Sequence, residues 1–279
     1  MYNFILSNGV EIPSIGYGTL NIGNDKEAIK IIKNAINNGY RHFDSAEIYG
    51  NDEALGIAIK ESNISRNEFF ITSKLSNNNR GYINTIKSFN ETLKRMQLEY
   101  LDLYLIHWPA SENQFKNWQE INMETWKALE VLYKEGKVKA IGISNFLIHH
   151  LKPLVEKAEI LPMINQLEIH PGQKQEEIVE YCKKYNILVE AWGPLGAGKM
   201  IDNTDLAEIA QKYNKSVAQI CIKWCLEQNI IPLPKTVNKT RMKENLDVYD
   251  FKILKNDIKR INQLQYFAGS GLHPDKINF

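Results

Sequence analysis

Eight strand-like segments alternating with helix-patterned stretches predict a closed (β/α)8 barrel, and three observations carry that expectation. First, SIGYGT (14–19), HFDSA (42–46), FFITSKL (69–75), LDLYLIHW (101–108), AIGISN (140–145), MINQLEI (163–169), ILVEAWGPL (187–195) and IIPLPKT (230–236) are mostly near-continuous apolar runs. That is the pattern of strands covered on both faces. Second, the stretches between them step apolar residues at helical spacing. Third, the chain has 279 residues, 43% of them hydrophobic, which suits one barrel of about 250 residues with a large core. The competing open, doubly wound sheet lacks its signal: no GxGxxG follows the first strand, because GYGT has no third glycine.

In chain order, FILSNGVEIP opens as a β-hairpin, since Asn8 and Gly9 both tolerate positive φ between apolar runs. DKEAIKIIKNAINNG sets Ala28, Ile31, Ile32, Ala35 and Ile36 on one helical face, with Gly39 placed to stop the helix. GYINTIKSFNETLKRM steps Tyr82, Ile86, Phe89, Leu93 and Met96 along another face. TWKALEVLYKEG repeats the arrangement with Gly136, and SVAQICIKWCLEQN places Val217, Ile220, Cys221, Trp224 and Cys225 on one side. No linker, low-complexity tract or internal repeat interrupts residues 1–279, so a single barrel domain is expected. LHPDKINF reads as a short C-terminal tail over one barrel mouth.

Lys plus Arg is 34 and Asp plus Glu 33, a formal net charge of +1, which argues against a uniformly basic nucleic-acid surface. Cys182, Cys221 and Cys225 form no CxxC and read as buried thiols of a reducing compartment. The N-terminus lacks a basic n-region and no run of 18 apolar residues occurs, so neither a secretory signal nor a membrane span is expected. A cytoplasmic monomer is the expectation. His149 and His150 are adjacent on a predicted helix and expected to face apart, and His42 lies in a strand. No clustered histidine set is expected, and no metal.

Barrel active sites lie at the C-terminal ends of the strands. Those ends carry Asp44, Lys74, His107, Ser144–Asn145, Gln166, Trp192 and Lys235. Tyr49 begins the helix after Asp44. A phenol with a pKa near 10 is an available acid, and a nearby ammonium stabilises its phenolate and lowers that pKa. Asp44 would hold Lys74 in place and charged, while His107 hydrogen-bonds a substrate oxygen or passes a proton. The set suits protonation of an oxyanion as a carbonyl is reduced, without metal or covalent nucleophile.

At these residues the sequence resembles the aldo-keto reductases, NADPH-dependent oxidoreductases built on a (β/α)8 barrel. GYRHFDSAEIYGNDEALG (39–56), KAIGISNF (139–146) and LPKTVNKTRMKENLDV (233–248) carry the resemblance. SKL (73–75), LYLIHWP (103–109), INQLEIHP (164–171) and EAWGPL (190–195) fall between them in order, and the similarity runs from about residue 4 to about residue 265. It is similar above all to the short bacterial branch of 2,5-diketogluconate and small-aldehyde reductases. The resemblance implies that Tyr49 is the proton donor, Lys74 and Asp44 tune it, and His107 orients the carbonyl. It implies that Ser144, Asn145 and Gln166 bind the nicotinamide carboxamide, that Trp192 stacks on the nicotinamide, and that Gly193, Pro194 and Leu195 cover the pyrophosphate. Lys235, Thr236 and Arg241 match binders of the 2′-phosphate, and Glu244 and Asn245 match adenine contacts. Lys235 and Arg241, six apart, bracket a phosphate dianion that a ribose hydroxyl would not require, so NADPH is expected over NADH.

Three departures bear on the site. Asp52 stands where the family motif usually has Glu or Gln, with little catalytic effect expected. Gly193 replaces a common Ser and loosens its loop. Ser76 and Leu20 occupy positions often aromatic in relatives, so the cleft formed by Leu20, Ile48 and Trp108 is expected to be wider on one side. The expected function is reduction of aldehydes or ketones to alcohols. The alternative is a cofactor-binding, redox-sensing regulatory module, which pull-down of a stable partner without turnover would reveal.

Overall fold

A computed structural model of the chain describes residues 2–277. An antiparallel hairpin comes first, pairing β1 (Asn3–Ile5) with β2 (Glu11–Pro13) and setting Phe4 opposite Ile12. In its turn Leu6 N–H donates to Val10 O and Gly9 N–H to Leu6 O, each at 2.9 Å. Only Gly9, at φ +86, takes the left-handed conformation. The connection is thus a three-residue loop with a glycine bulge rather than a two-residue Asn-Gly turn with both residues at positive φ.

Eight parallel strands follow: β3 (Tyr17–Gly18), β4 (His42–Asp44), β5 (Phe70–Leu75), β6 (Leu101–Ile106), β7 (Val138–Ser144), β8 (Ile164–Glu168), β9 (Leu188–Trp192) and β10 (Ile230–Leu233). Each pairs with its sequence neighbour. Gly16 N–H donates to Pro232 O and Gly18 N–H to Pro234 O, both at 3.1 Å, which brings the first strand to the last and closes the barrel. The expected (β/α)8 architecture is the one observed, with every expected strand present, though several are shorter.

The helices are α1 (Lys26–Asn37), α2 (Asp52–Lys60), α3 (Tyr82–Met96), α4 (Trp118–Lys134), α5 (Ile148–Lys157), α6 (Glu176–Lys184), α7 (Thr204–Tyr213), α8 (Val217–Glu227), α9 (Lys239–Leu246) and α10 (Lys255–Asn262). Asp25 caps α1 by accepting from Ala28 N–H, and the buried residues of α1 are the five read from its periodicity. Burying Ile32 and Ile36 contributes roughly 1.5–3 kcal/mol each, and Ile32→Ala would cost about 2–5 kcal/mol. In α3 the buried face is Thr85, Ser88, Phe89, Thr92, Leu93 and Met96, while Tyr82 is exposed. That face is rotated from the expected one because its polar members have partners: Thr85 Oγ1 donates to Gly81 O at 2.6 Å and Ser88 Oγ to Glu47 Oε2 at 2.8 Å. Ser216 and Gln219 form a reciprocal capping box on α8. All three cysteines are free and buried.

The alternation of a strand sends residues i and i+2 to the same face. His42 and Asp44 on β4 face the barrel interior with Lys74 on β5, because both meet residues of β8 or β9 across the lumen: Asp44 meets Gln166, and His42 meets Glu190. Among the described residues no helix is long and apolar enough to cross a membrane.

Candidate active site

The centre is a buried ion pair. Lys74 Nζ donates to Asp44 Oδ1 at 2.6 Å and to Ser45 O at 2.9 Å, and Lys74 is wholly inaccessible. Burial works against the ammonium, but Asp44, with Tyr49 and Glu190, outweighs it and holds Lys74 above the usual lysine value. Asp44 Oδ2 accepts from Gln166 Nε2 at 2.8 Å, so both carboxylate oxygens have a donor.

Tyr49 closes a short 3-10 turn, Glu47–Tyr49, after β4. Gly50, at φ +64, lets the chain reverse immediately after it. The turn is fixed from both sides. Ser45 Oγ donates to Asn51 Oδ1 and Asn51 Nδ2 to Thr19 O, each at 2.7 Å. Glu47 accepts from Ser76 N–H at 3.0 Å and Asn79 Nδ2 at 2.8 Å, tying Tyr49's turn to the loop that follows Lys74. Lys74 Nζ lies 5.1 Å from the centroid of the Tyr49 ring, and the His107 ring meets Tyr49 edge-on at 5.7 Å between centroids.

The net effect on the phenol is opposite to the expectation. Burial raises the Tyr49 pKa, and the Lys74 ammonium offsets only part of that rise. Tyr49 therefore keeps its proton at neutral pH, as a donor must. Burial also pulls His107 well below its usual value, with Lys74 and Arg80 adding to the effect. His107 is a neutral imidazole here, suited to hydrogen bonding and not to carrying a charge.

Around this centre the strand ends are already connected. Asn145, at φ +64, donates from Nδ2 to His107 O at 2.9 Å and Ser144 Oγ at 3.0 Å. Ser144 Oγ donates to Gln166 O at 2.8 Å, and Trp192 Nε1 donates to Asn145 Oδ1 at 2.9 Å, fixing the indole. Trp108 is nearly buried and lies 6.4 Å from the His107 ring and 6.3 Å from the Trp192 ring. Leu20 and Ile48 are about half exposed. Asp52 pairs with Arg95 at 2.9 Å and joins α2 to α3, away from the Lys74 ammonium.

Lys235 and Arg241 stand apart from this network, exposed, with no ion pair to any described residue. Thr236 O accepts from Tyr17 OH at 2.5 Å, and Asn238 caps α9 through Arg241 N–H at 3.0 Å. Asn245 is buried, and Glu244 is partly exposed. The junction of β10 and α9 thus presents two cations without ion-pair partners among the described residues, while Ser144, Asn145, Gln166 and the Trp192 indole are already connected to one another at the strand ends.

Three features of the structure lie outside the sequence expectations. Glu190, fully buried in β9, accepts from Gln166 Nε2 at 2.9 Å. Its signal was a lone acid inside an otherwise apolar strand. Glu168 receives Ser270 N–H at 2.7 Å and Ser270 Oγ at 2.6 Å, holding the tail. Finally, His149 and His150 do not face apart. Both Nε2 atoms lie 2.9 Å from Asp275 Oδ1, and the three donor atoms fall within 4.8 Å of one another. Leu147 N–H donates to His150 Nδ1 at 3.2 Å, so the neutral ring carries its proton on Nε2, which lies 2.9 Å from Asp275 Oδ1 without hydrogen-bond geometry. His150 is thereby not set up as a metal ligand, since a metal-bound His normally donates from its other nitrogen, and the His149–Asp275 hydrogen bond latches the tail. Asn113 Nδ2 donates to Asp275 O at 2.7 Å, and Gln114 donates to Ile277 O. These contacts lay LHPDKI against the loops at the C-terminal ends of the strands; Asn278 and Phe279 lie outside the described residues.

A sequence profile of the Aldo/keto reductase family matches residues 14–265. Glyoxal reductase of Bacillus subtilis (strain 168) is 47% identical over 274 residues, covering 98% of this chain and 96% of that protein. Among solved structures, MGS-M4, an aldo-keto reductase from a Medee basin deep-sea metagenome library, superposes with a TM-score of 0.93 at 42% identity, covering 99% and 100% of the two chains. A point mutant of Gox0644 in complex with NADPH superposes with a TM-score of 0.91 at 35% identity, covering 99% and 98%.

Proposed function

The chain belongs to the aldo/keto reductase family and is thereby an NADPH-dependent oxidoreductase of carbonyl groups; we propose that it reduces small aldehydes and dicarbonyls, with Tyr49 as the proton donor. The observation that carries the reading is the buried Lys74–Asp44 pair, 2.6 Å apart, beside the Tyr49 and His107 rings. NADPH, when bound, supplies the hydride. The chain's own residues then handle the oxygen. Neutral His107 donates a hydrogen bond that orients the carbonyl, and Tyr49 gives its proton as negative charge develops there. Lys74 stabilises the phenolate left behind, and Asp44 keeps Lys74 charged through the cycle.

Lys235, Thr236 and Arg241 would hold the 2′-phosphate, with Glu244 and Asn245 at the adenine and Gly193, Pro194 and Leu195 along the pyrophosphate. Ser144, Asn145 and Gln166 would hold the carboxamide. Gln166 spends both amide hydrogens on Asp44 and Glu190, so its oxygen is the atom left for the carboxamide N–H. Leu20, Ile48 and Trp108 would line the substrate mouth. The relative named glyoxal reductase supports the small-aldehyde reading.

The test combines a panel of aldehydes, dicarbonyls and keto-sugars, each with NADPH and NADH, with the Tyr49→Phe variant. Glyoxal-type substrates should give the highest kcat/KM, and Tyr49→Phe should lose about 100-fold or more in kcat while still binding NADPH. Near-normal turnover by that variant would remove Tyr49 from the role.

A further inference from the structure

Glu190 is a buried acid that the proposed chemistry leaves without a task. It lies in register with Gln166 of the neighbouring strand and is wholly inaccessible. The Gln166 amide divides its two hydrogens between Glu190 Oε2, at 2.9 Å, and Asp44 Oδ2, at 2.8 Å. One side chain thereby connects Glu190 to the Asp44–Lys74 pair. The other oxygen, Oε1, accepts no hydrogen bond and faces His42 Nε2 at 3.6 Å, too long for one. The titratable groups facing Glu190 are Asp44 and His42 from β4 and Lys74 from β5.

The charge count follows from these contacts. Lys74 and Asp44 cancel, and burial keeps His42 neutral, at about 3. An ionised Glu190 would leave the centre with one net negative charge. The reduced nicotinamide ring is neutral and the oxidised ring is cationic, so the two redox states differ by the charge this carboxyl can balance.

Resting on the cofactor reading above, we propose that Glu190 is a positioning residue that sets the charge of the reaction centre, neutral with NADPH bound and ionised with NADP+ bound, so that rising pH shifts the site from carbonyl reduction toward holding the oxidised cofactor. The proton lost from the Glu190 carboxyl goes to solvent as the oxidised nucleotide binds. By linkage, whatever NADP+ does to this proton, the proton does to NADP+. Burial raises Glu190 to about 8, with Asp44 adding and Gln166 and Lys74 opposing. Lys74 and Tyr49 are held above their usual values and His107 below, so these three do not titrate in the same window.

The experiment measures Kd for NADP+ and for NADPH by tryptophan fluorescence between about pH 6.5 and 9, in the wild type and in Glu190→Gln. The ratio of the two constants cancels the 2′-phosphate and its cations, which both nucleotides share. In the wild type Kd(NADP+)/Kd(NADPH) should fall on the order of tenfold across the window, and in Glu190→Gln it should stay within about twofold. Calorimetry on the wild type, in buffers of different ionisation enthalpy, should show more protons released with NADP+ than with NADPH, which keeps the test open if the variant fails to fold. A pH-independent ratio in the wild type, equal proton release, or an undiminished pH dependence in folded Glu190→Gln overturns the proposal. If neither nucleotide binds the wild type, the cofactor reading itself fails, and this inference with it.

Discussion

Lys74 Nζ and Asp44 Oδ1 are 2.6 Å apart inside the barrel, with side chains 0% and 5% exposed. Neither charge is tolerable there without the other, because removing one partner strands an uncompensated charge at a cost of about 3–5 kcal/mol. Lys74→Met should therefore destabilise the fold by roughly that amount. The double variant Asp44→Asn/Lys74→Met should recover much of the loss while remaining inactive. Denaturant unfolding beside turnover separates the two effects. A double variant no more stable than Lys74→Met would show that the pair's geometry, and not its charge balance, supports the barrel.

Arg241 carries the next prediction. Its guanidinium has no ion-pair partner among the described residues, and the start of its helix is fixed by Asn238. Arg241→Ala should raise the NADPH KM by about 10- to 100-fold, the scale of lost charge-assisted hydrogen bonds. The NADH KM should barely move, and thermal stability should be unchanged. An unaltered NADPH KM would take the 2′-phosphate away from this residue.

What was legible in the sequence follows from range. The α1 face was readable because its apolar residues repeat at helical spacing, and the polar strand ends were readable because barrel geometry sends them to one mouth. The α3 face is legible at Phe89, Leu93 and Met96 but not at its polar members Thr85, Ser88 and Thr92, and only Glu47, some forty residues earlier, explains why Ser88 is inside. Glu190 is less legible because it lies inside β9 and not at the strand end where barrel sites gather. Alternation puts it on the same face as Trp192, but its partner Gln166 is set beside it only when β8 and β9 pair. No local spacing rule connects His149 and His150 to Asp275, more than 120 positions away. The Tyr49 pKa follows the same rule: the Lys74 ammonium that lowers it is visible in a sequence, whereas the burial that outweighs it is a property of the whole fold.

The tail latch predicts a local effect. Asp275 faces His149 and His150 at 2.9 Å each, and its backbone carbonyl holds Asn113 at 2.7 Å. Asp275→Ala should speed amide exchange in residues 268–277 while leaving the unfolding midpoint nearly unchanged, because partly exposed pairs contribute only about 0–1 kcal/mol. Hydrogen-exchange mass spectrometry reads the outcome. Unchanged exchange in the tail would mean that the Glu168–Ser270 contacts and the backbone carbonyls held by Asn113 and Gln114 anchor it without the Asp275 carboxylate.

Glu190 also predicts how stability varies with pH, independently of any ligand. Its carboxyl sits at about 8 in the folded chain against an ordinary value of 4.5. Between those values the folded chain holds a proton that the unfolded chain has released. The contribution of Glu190 to stability is therefore fully present below pH 4.5 and is lost as pH rises to about 8. Glutamine keeps the shape, offers Gln166 the same acceptor and never ionises. The stability of Glu190→Gln relative to wild type should accordingly grow with pH across that interval and level off above it. At the plateau the gain is on the order of a few kcal/mol. Subtracting wild type from variant at each pH removes the opposing acid-side trend of His42, which is buried neutral in both. Urea unfolding of the two proteins at intervals across the range supplies the difference curve. A flat difference would mean that Glu190 is ionised throughout, with its charge balanced inside the barrel by Lys74, and would remove the neutral acid from the centre.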